Sequence, residues 1–162
     1  LGGLCLINNI ASQKDNPARE TVTSFLESVK TGDSFAFWNT LDKRGQGYFL
    51  GLWFYAMETM NIETIIKLTN EKEFLDGVLG PIISALKESI GELLNNPRFG
   101  DIEYHSPHCA NIIVTPADRE TAGEDDYIPL VLELGDAENI DNNLTCWKID
   151  TLKCFQLNKS MH

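Results

Sequence analysis

The run HSPHC at residues 105–109 brings together more metal-ligand side-chain types than any other stretch of the chain. His nitrogen and Cys sulfur are zinc ligands, but a zinc site needs three or four such groups. The only other histidine is His162, at the end of the sequence. Pro107 places a hairpin turn between His105 and His108, which makes the two rings diverge. The run therefore reads as a solvated turn, and no metal or cofactor is expected. A second group is aromatic: Phe35, Trp38, Trp53, Phe54, Tyr55 and Trp147 could line an apolar pocket or fill a core. Nucleophile elbows, phosphate loops, dinucleotide fingerprints and zinc-protease helices are all missing. Glu124, Asp125 and Asp126 are consecutive and lack the alternating spacing of a calcium loop.

The elements that must position these residues follow from periodicity and punctuation. Asn16 and Pro17 open a helix as cap and first residue. Ala18, Val22, Phe25, Leu26 and Val29 form its buried stripe. Gly32 closes that helix, and Asp33 caps the next. On this second helix Phe35, Trp38 and Leu41 share a face and Phe37 flanks it. Residues 43–48 read as a turn. Residues 49–60 suit a strand by aromatic content, yet Leu50, Trp53, Phe54 and Met57 match a helical stripe, and a helix is expected. Asn61 caps a further short helix. Residues 71–95 keep one face apolar, and Gly80–Pro81 should kink or split them.

From residue 101 the pattern becomes β. Residues 101–105 and 109–115 are strands. Residues 127–134 alternate, with Ile128, Leu130, Leu132 and Leu134 on one face. Pro129 marks that strand as an edge or as bulged. Residues 144–157 form the last strand, with Cys146 and Cys154 on one face of it. The connections are too short for helical crossovers, so the strands run antiparallel. The fold class is α+β: N-terminal helices packed on a curved antiparallel sheet of three to four or more strands. Residues 1–15 read as an extended lead-in or expression remnant, and 16–162 as one domain.

Composition narrows the function classes. Among 162 residues, 13 Lys and Arg face 24 Asp and Glu, a net charge of −11. That charge argues against nucleic acid and against an anionic membrane surface as partners. No stretch reaches membrane-spanning length. The four cysteines, Cys5, Cys109, Cys146 and Cys154, read as buried free thiols. The compartment, cytoplasmic or exported, is left open by the sequence.

The stretch SFLESVKTGDSFAFWNTLD resembles the opening of the nuclear transport factor 2-like (cystatin-like, SnoaL-like) superfamily, and LTCWKIDTLKCFQL resembles its closing strand. The resemblance covers residues 17–42 and 127–157. It implies a curved sheet wrapped around a helix as a cone, with a pocket at the open end. Between these ends a typical member has a short strand pair and one helix, whereas residues 49–96 here read as mostly helical. Members include isomerases, dehydratases, hydrolases and binding or scaffold domains, so fold alone does not choose among them. The acid–base groups that such enzymes turn into the cone have counterparts in Asp42, Tyr55, Tyr104 and His105. With Trp38 and Trp147 these form the expected ligand pocket.

The expected function is a non-catalytic domain binding a small apolar ligand or a basic protein partner. In the second case the acidic loops 118–126 and 136–143 would meet the partner. The alternative is a cofactor-independent isomerase or dehydratase. A homodimer through the open sheet face is also expected, because exposed apolar sheet needs covering.

Overall fold

The computed structural model describes residues 16–123, 126–134 and 145–157. The expected lead-in 1–15 and the acidic loop 136–143 lie outside these residues. Helix α1 spans Pro17–Thr31. The Asn16 side chain accepts the Ala18 N–H at 2.9 Å, and Gly32 ends the helix in the left-handed region at φ 75°. Helix α2, Ser34–Thr40, starts at once, with Asp33 accepting the Ala36 N–H at 3.1 Å. The sequence put Phe37 at the flank of this helix, but Phe37 is fully buried. Its ring lies 5.7 Å from Phe25 and 6.3 Å from Phe155, while the ring of the adjacent Trp38 lies 5.2 Å from Trp53, tilted by 30°. A seven-residue helix wedged between two neighbours buries both of its sides.

Helix α3 runs from Lys43 to Ala56, so residues 43–48 are helical and not a turn. Two glycines lower local propensity there, but tertiary packing overrides it. Asp42 caps the helix by accepting the Gly45 N–H at 3.1 Å. Asn61 caps α4, Ile62–Leu68, through the N–H and hydroxyl of Thr64, both at 2.8 Å. Helix α5, Lys72–Ser89, continues through Pro81. The carbonyl that Pro81 leaves without a donor belongs to Gly77, and both positions are exposed, where water can serve it. A short 3₁₀ turn, Gly91–Leu93, leads to the sheet.

Strands β1 (Arg98–Ser106), β2 (Cys109–Thr115), β3 (Tyr127–Leu134) and β4 (Thr145–Ile149) form one antiparallel sheet in sequence order. Helix α1 packs against β4 and the other helices build onto α1 and one another, so the architecture is α+β. Register pairs Ile102 with Ile112, Ala110 with Leu130, and Leu130 with Ile149. Directly opposed residues share a face. Ala110, Ile112, Val114, Ile128, Leu130 and Ile149 are therefore the buried face of the sheet, and all but Ala110 join the core cluster with Ala18, Val22, Phe25 and Val29 of α1.

Two expectations about the strands are corrected. Pro129 lies in an inner strand, and its pairing with β2 shows no register shift. The Pro129 carbonyl accepts the Asp150 N–H at 3.0 Å, so its nitrogen faces the same side. At that level the chain after β4 has already turned away, and the Asp150 carbonyl is taken by the Cys154 N–H at 2.8 Å. The missing donor of Pro129 costs no ladder bond. The last strand also stops at Ile149, far short of residue 157. Asp150 caps helix α6, Thr151–Cys154, so Cys146 and Cys154 do not share a strand face.

The free edge of β4 is covered by the helices. The Thr21 hydroxyl donates to the Trp147 carbonyl at 2.8 Å, and the Asp42 N–H donates to the Ile149 carbonyl at 3.1 Å. Leu41 forms a parallel bridge with Ile149.

Candidate functional site

The residues singled out from the sequence go to five different places. Trp38 is core: it is buried and belongs to a cluster in which Trp53 also meets Phe49 at 6.0 Å and Phe74 edge-on at 5.7 Å. Asp42 is buried as well, but its work is structural. One carboxylate oxygen accepts both the Gly45 N–H at 3.1 Å and the Thr151 N–H at 3.2 Å. A single acidic side chain thus caps α3 and fastens the start of α6. Gly45 allows this joint, because a Cβ there would overlap the Thr151 side chain.

Tyr55 is 86% exposed, on the outside of α3. His105 is exposed at a point where the β1–β2 register slips, between Tyr104 and Ser106. His108 is exposed in the turn, where its N–H donates to the Ser106 hydroxyl at 3.1 Å. The next residue, Cys109, is an exposed free thiol, which corrects the expectation that the cysteines are buried. Among the described residues no three His, Cys, Asp or Glu side chains gather to hold a metal ion.

Tyr104 and Trp147 do come together. Tyr104 opposes Ala110 and Trp147 opposes Leu132, so both rings lie on the helix-facing side of the sheet. They stand on its two outer strands, yet their centroids are 6.0 Å apart and tilted by 56°. In a flat sheet three strand spacings of about 4.8 Å would separate those strands. The rings reach each other by leaning inward across a curved face, above the small Ala110.

Each ring borders a groove. Trp147 lines one of about 460 Å³ between α1, α2 and β4, with Thr21, Asn39 and Lys148. The Lys148 ammonium donates to the Asn39 carbonyl in the wall of that groove. Tyr104 lines the other, of about 670 Å³ between α1 and β1, with Arg19, Phe99, Asp101 and Ile102. The Arg19 guanidinium sits 4.6 Å over the Phe99 ring, an arrangement that fixes a cation beside an apolar surface. Arg19, Phe99 and Ile102 escaped the sequence reading. Strand parity could not have joined them: Phe99 and Ile102 are three positions apart, and only the register shift between them sets both opposite the alternating Val114 and Ile112.

Other titratable groups are tied to local structure. Asp126 accepts the Gly123 N–H and an Arg119 guanidinium N–H, both at 2.7 Å, which holds its carboxyl below the usual carboxylate range. Asp76 is lowered by its bond from Lys72 and then by the Ser34 hydroxyl at 2.6 Å. The Cys154 thiol is pushed up to about 12 by burial first and by the negative Asp150 second. On the sheet face turned from the helices, the Asn111 amide oxygen is buried without a hydrogen-bond partner among the described residues. No described helix is long and apolar enough to cross a membrane. Family models, curated proteins and solved structures contain no match to this chain.

Proposed function

We propose that this chain is a non-catalytic binding domain whose ligand is a small molecule with a flat apolar or aromatic body. The observation that carries the reading is the Tyr104–Trp147 pair, with Tyr104 57% exposed and the rings 6.0 Å apart. Partly exposed aromatics on a curved sheet offer stacking surface that a filled core does not need. The adjoining groove of about 670 Å³ falls within the range of small-molecule sites. Its Arg19 and Asp101 add polar groups that orient a ligand.

Catalysis would need an acid or base set free beside the ligand. Asp42 spends its carboxylate oxygen on two backbone N–H groups, and His105, exposed near the end of β1, lines neither groove. An isomerase or dehydratase would therefore have Tyr104 as its only proton-transfer group among the sequence candidates at this surface. The reading also keeps the resemblance to the nuclear transport factor 2-like superfamily. It is supported by α1 lying on a curved sheet before the Gly32–Asp33 corner, with helices α3 to α5 as an elaboration of the middle.

The test is a panel of small aromatic compounds followed by thermal shift and tryptophan fluorescence. Saturable binding is expected, weakened at least tenfold by Tyr104→Ala and by Trp147→Ala in variants that keep their circular dichroism. Equal binding in both variants would remove the aromatic pair from the site. Turnover of a bound compound that disappears in Tyr104→Phe would establish the enzyme instead.

A further inference from the structure

The groove beside Tyr104 holds opposite charges that do not meet. Its charged linings are Arg19, Asp101 and Glu103. Arg19 is partly buried, and its guanidinium is held 4.6 Å over the Phe99 ring. Stacking of this kind fixes the cation and leaves its in-plane N–H groups free to bond. Asp101 is positioned by the backbone. It lies between Phe99 and Ile102, where the register of β1 with β2 shifts, and such a bulge re-aims a side chain. Among the described residues, neither the Arg19 guanidinium nor the Asp101 carboxylate forms a hydrogen bond or ion pair, with one another or with any other group. Glu103 opposes Asn111, so it belongs to the sheet face turned from the helices. The neighbouring charges Glu20 and Arg98 do not line this groove.

Opposite charges held apart in one groove suit a ligand that carries both signs. A carboxylate accepts from the guanidinium, and an ammonium donates to the Asp101 carboxylate. A ligand with a carboxylate alone would meet Asp101 as a like charge, and one with an ammonium alone would meet Arg19 in the same way. On the premise of the Tyr104–Trp147 site, we infer that this groove takes a small zwitterionic amino acid with an aromatic side chain. Its ring lies against Tyr104, its carboxylate accepts from Arg19, and its ammonium donates to Asp101. The net charge of −11 would by itself favour a plain amine, so a preference for the zwitterion has to come from these local groups.

The probes are phenylalanine, phenethylamine, which lacks the carboxylate, and hydrocinnamate, which lacks the ammonium, each titrated by isothermal calorimetry. Phenylalanine should bind about tenfold or more tightly than either, as the loss of one charge-assisted bond requires. Arg19→Gln should remove its advantage over phenethylamine, and Asp101→Asn its advantage over hydrocinnamate, in variants that keep the parent's thermal midpoint. Phenethylamine binding as tightly as phenylalanine to the parent would reduce the selectivity to overall charge and overturns the inference. Hydrocinnamate binding as tightly leaves Asp101 without a role and overturns it too. So does an advantage that either variant leaves unchanged. Tyr104→Ala separates this failure from failure of the aromatic site. If none of the three probes binds, while another flat aromatic compound binds and loses affinity in Tyr104→Ala, the zwitterion is wrong and the aromatic site stands. Phenylalanine that binds equally well to Tyr104→Ala removes the aromatic site, and the inference with it.

Discussion

The Asp42 carboxylate accepts the backbone N–H of Thr151 at 3.2 Å, across 109 positions of sequence. The same oxygen caps α3 through Gly45. Loss of a helix cap costs about 1 kcal/mol, and leaving a buried N–H without a partner costs about 1–3 kcal/mol more. Asp42→Ala should therefore lower stability by about 2–4 kcal/mol in urea denaturation. Asp42→Asn keeps an acceptor oxygen and should stay within about 1 kcal/mol of the parent. An Asn variant as unstable as the Ala variant would mean that the negative charge, and not the acceptor, matters at this joint.

Gly45 and Gly47 stand two residues apart in α3 and should respond with opposite signs. A Cβ at Gly45 would overlap the Thr151 side chain and lie 2.8 Å from the Asp42 carboxylate. Gly45→Ala should cost about 1–3 kcal/mol or more through overpacking. Nothing lies within 4 Å of a Cβ at Gly47. Gly47→Ala should stabilise by about 0.5–1 kcal/mol, because Ala loses less entropy in a helix. Thermal midpoints that fall for both variants would refute the assignment of Gly47 to open helix surface.

Trp53 and Tyr55 make a similar contrast. Trp53 is buried among Trp38, Phe49 and Phe74, whereas Tyr55 is 86% exposed. Trp53→Ala should cost about 3–5 kcal/mol. Tyr55→Ala should stay within about 0.5 kcal/mol. Chemical denaturation of the two variants side by side decides the point.

The loop before β3 should loosen in acid. Asp126 has its carboxyl lowered chiefly by the Gly123 N–H and then by Arg119. A carboxyl depressed in the folded state adds stability above its unfolded value, and that contribution is lost as pH falls through the folded value. Protection of the Gly123 amide, its exchange rate relative to the intrinsic rate at the same pH, should be high at about pH 6 and low at about pH 2, with the change beginning below the ordinary carboxylate value of about 4. Asp126→Asn should flatten this dependence. Protection of Gly123 that is equal at both ends of the range would sink the prediction.

Cysteine reactivity should rank by environment. Cys109 is exposed, while the Cys154 thiol is pushed up to about 12. At about pH 8 a thiol with that value is thiolate to roughly one part in ten thousand, and the thiolate is the nucleophile. A short iodoacetamide pulse with peptide mapping should label Cys109 and leave Cys154 untouched. Labelling of Cys154 at the rate of Cys109 would show that its sulfur is open to solvent.

Much of this architecture is local and could be read from the chain. Asn16, Asp33 and Asn61 cap helices because each side chain bonds an N–H two or three residues ahead, and Gly32 ends α1 because it tolerates a positive φ. The alternation of Ile128, Leu130 and Leu132 placed β3, since the two faces of a strand meet different surroundings. Other features depend on partners far away in sequence. Two glycines made residues 43–48 look like a turn, but the approach of Thr151 explains Gly45 and the helix around it. Pro129 suggested an edge strand, and only the course of Asp150 away from the sheet shows why an inner strand accepts it. Tyr104 and Trp147 were both named from the sequence, yet nothing local joins them. Their contact is set by the inward curve of a four-stranded sheet that carries them on opposite edges. Local hydrogen bonding and side-chain period are written into neighbouring residues, whereas sheet curvature and close packing exist only once distant segments have met.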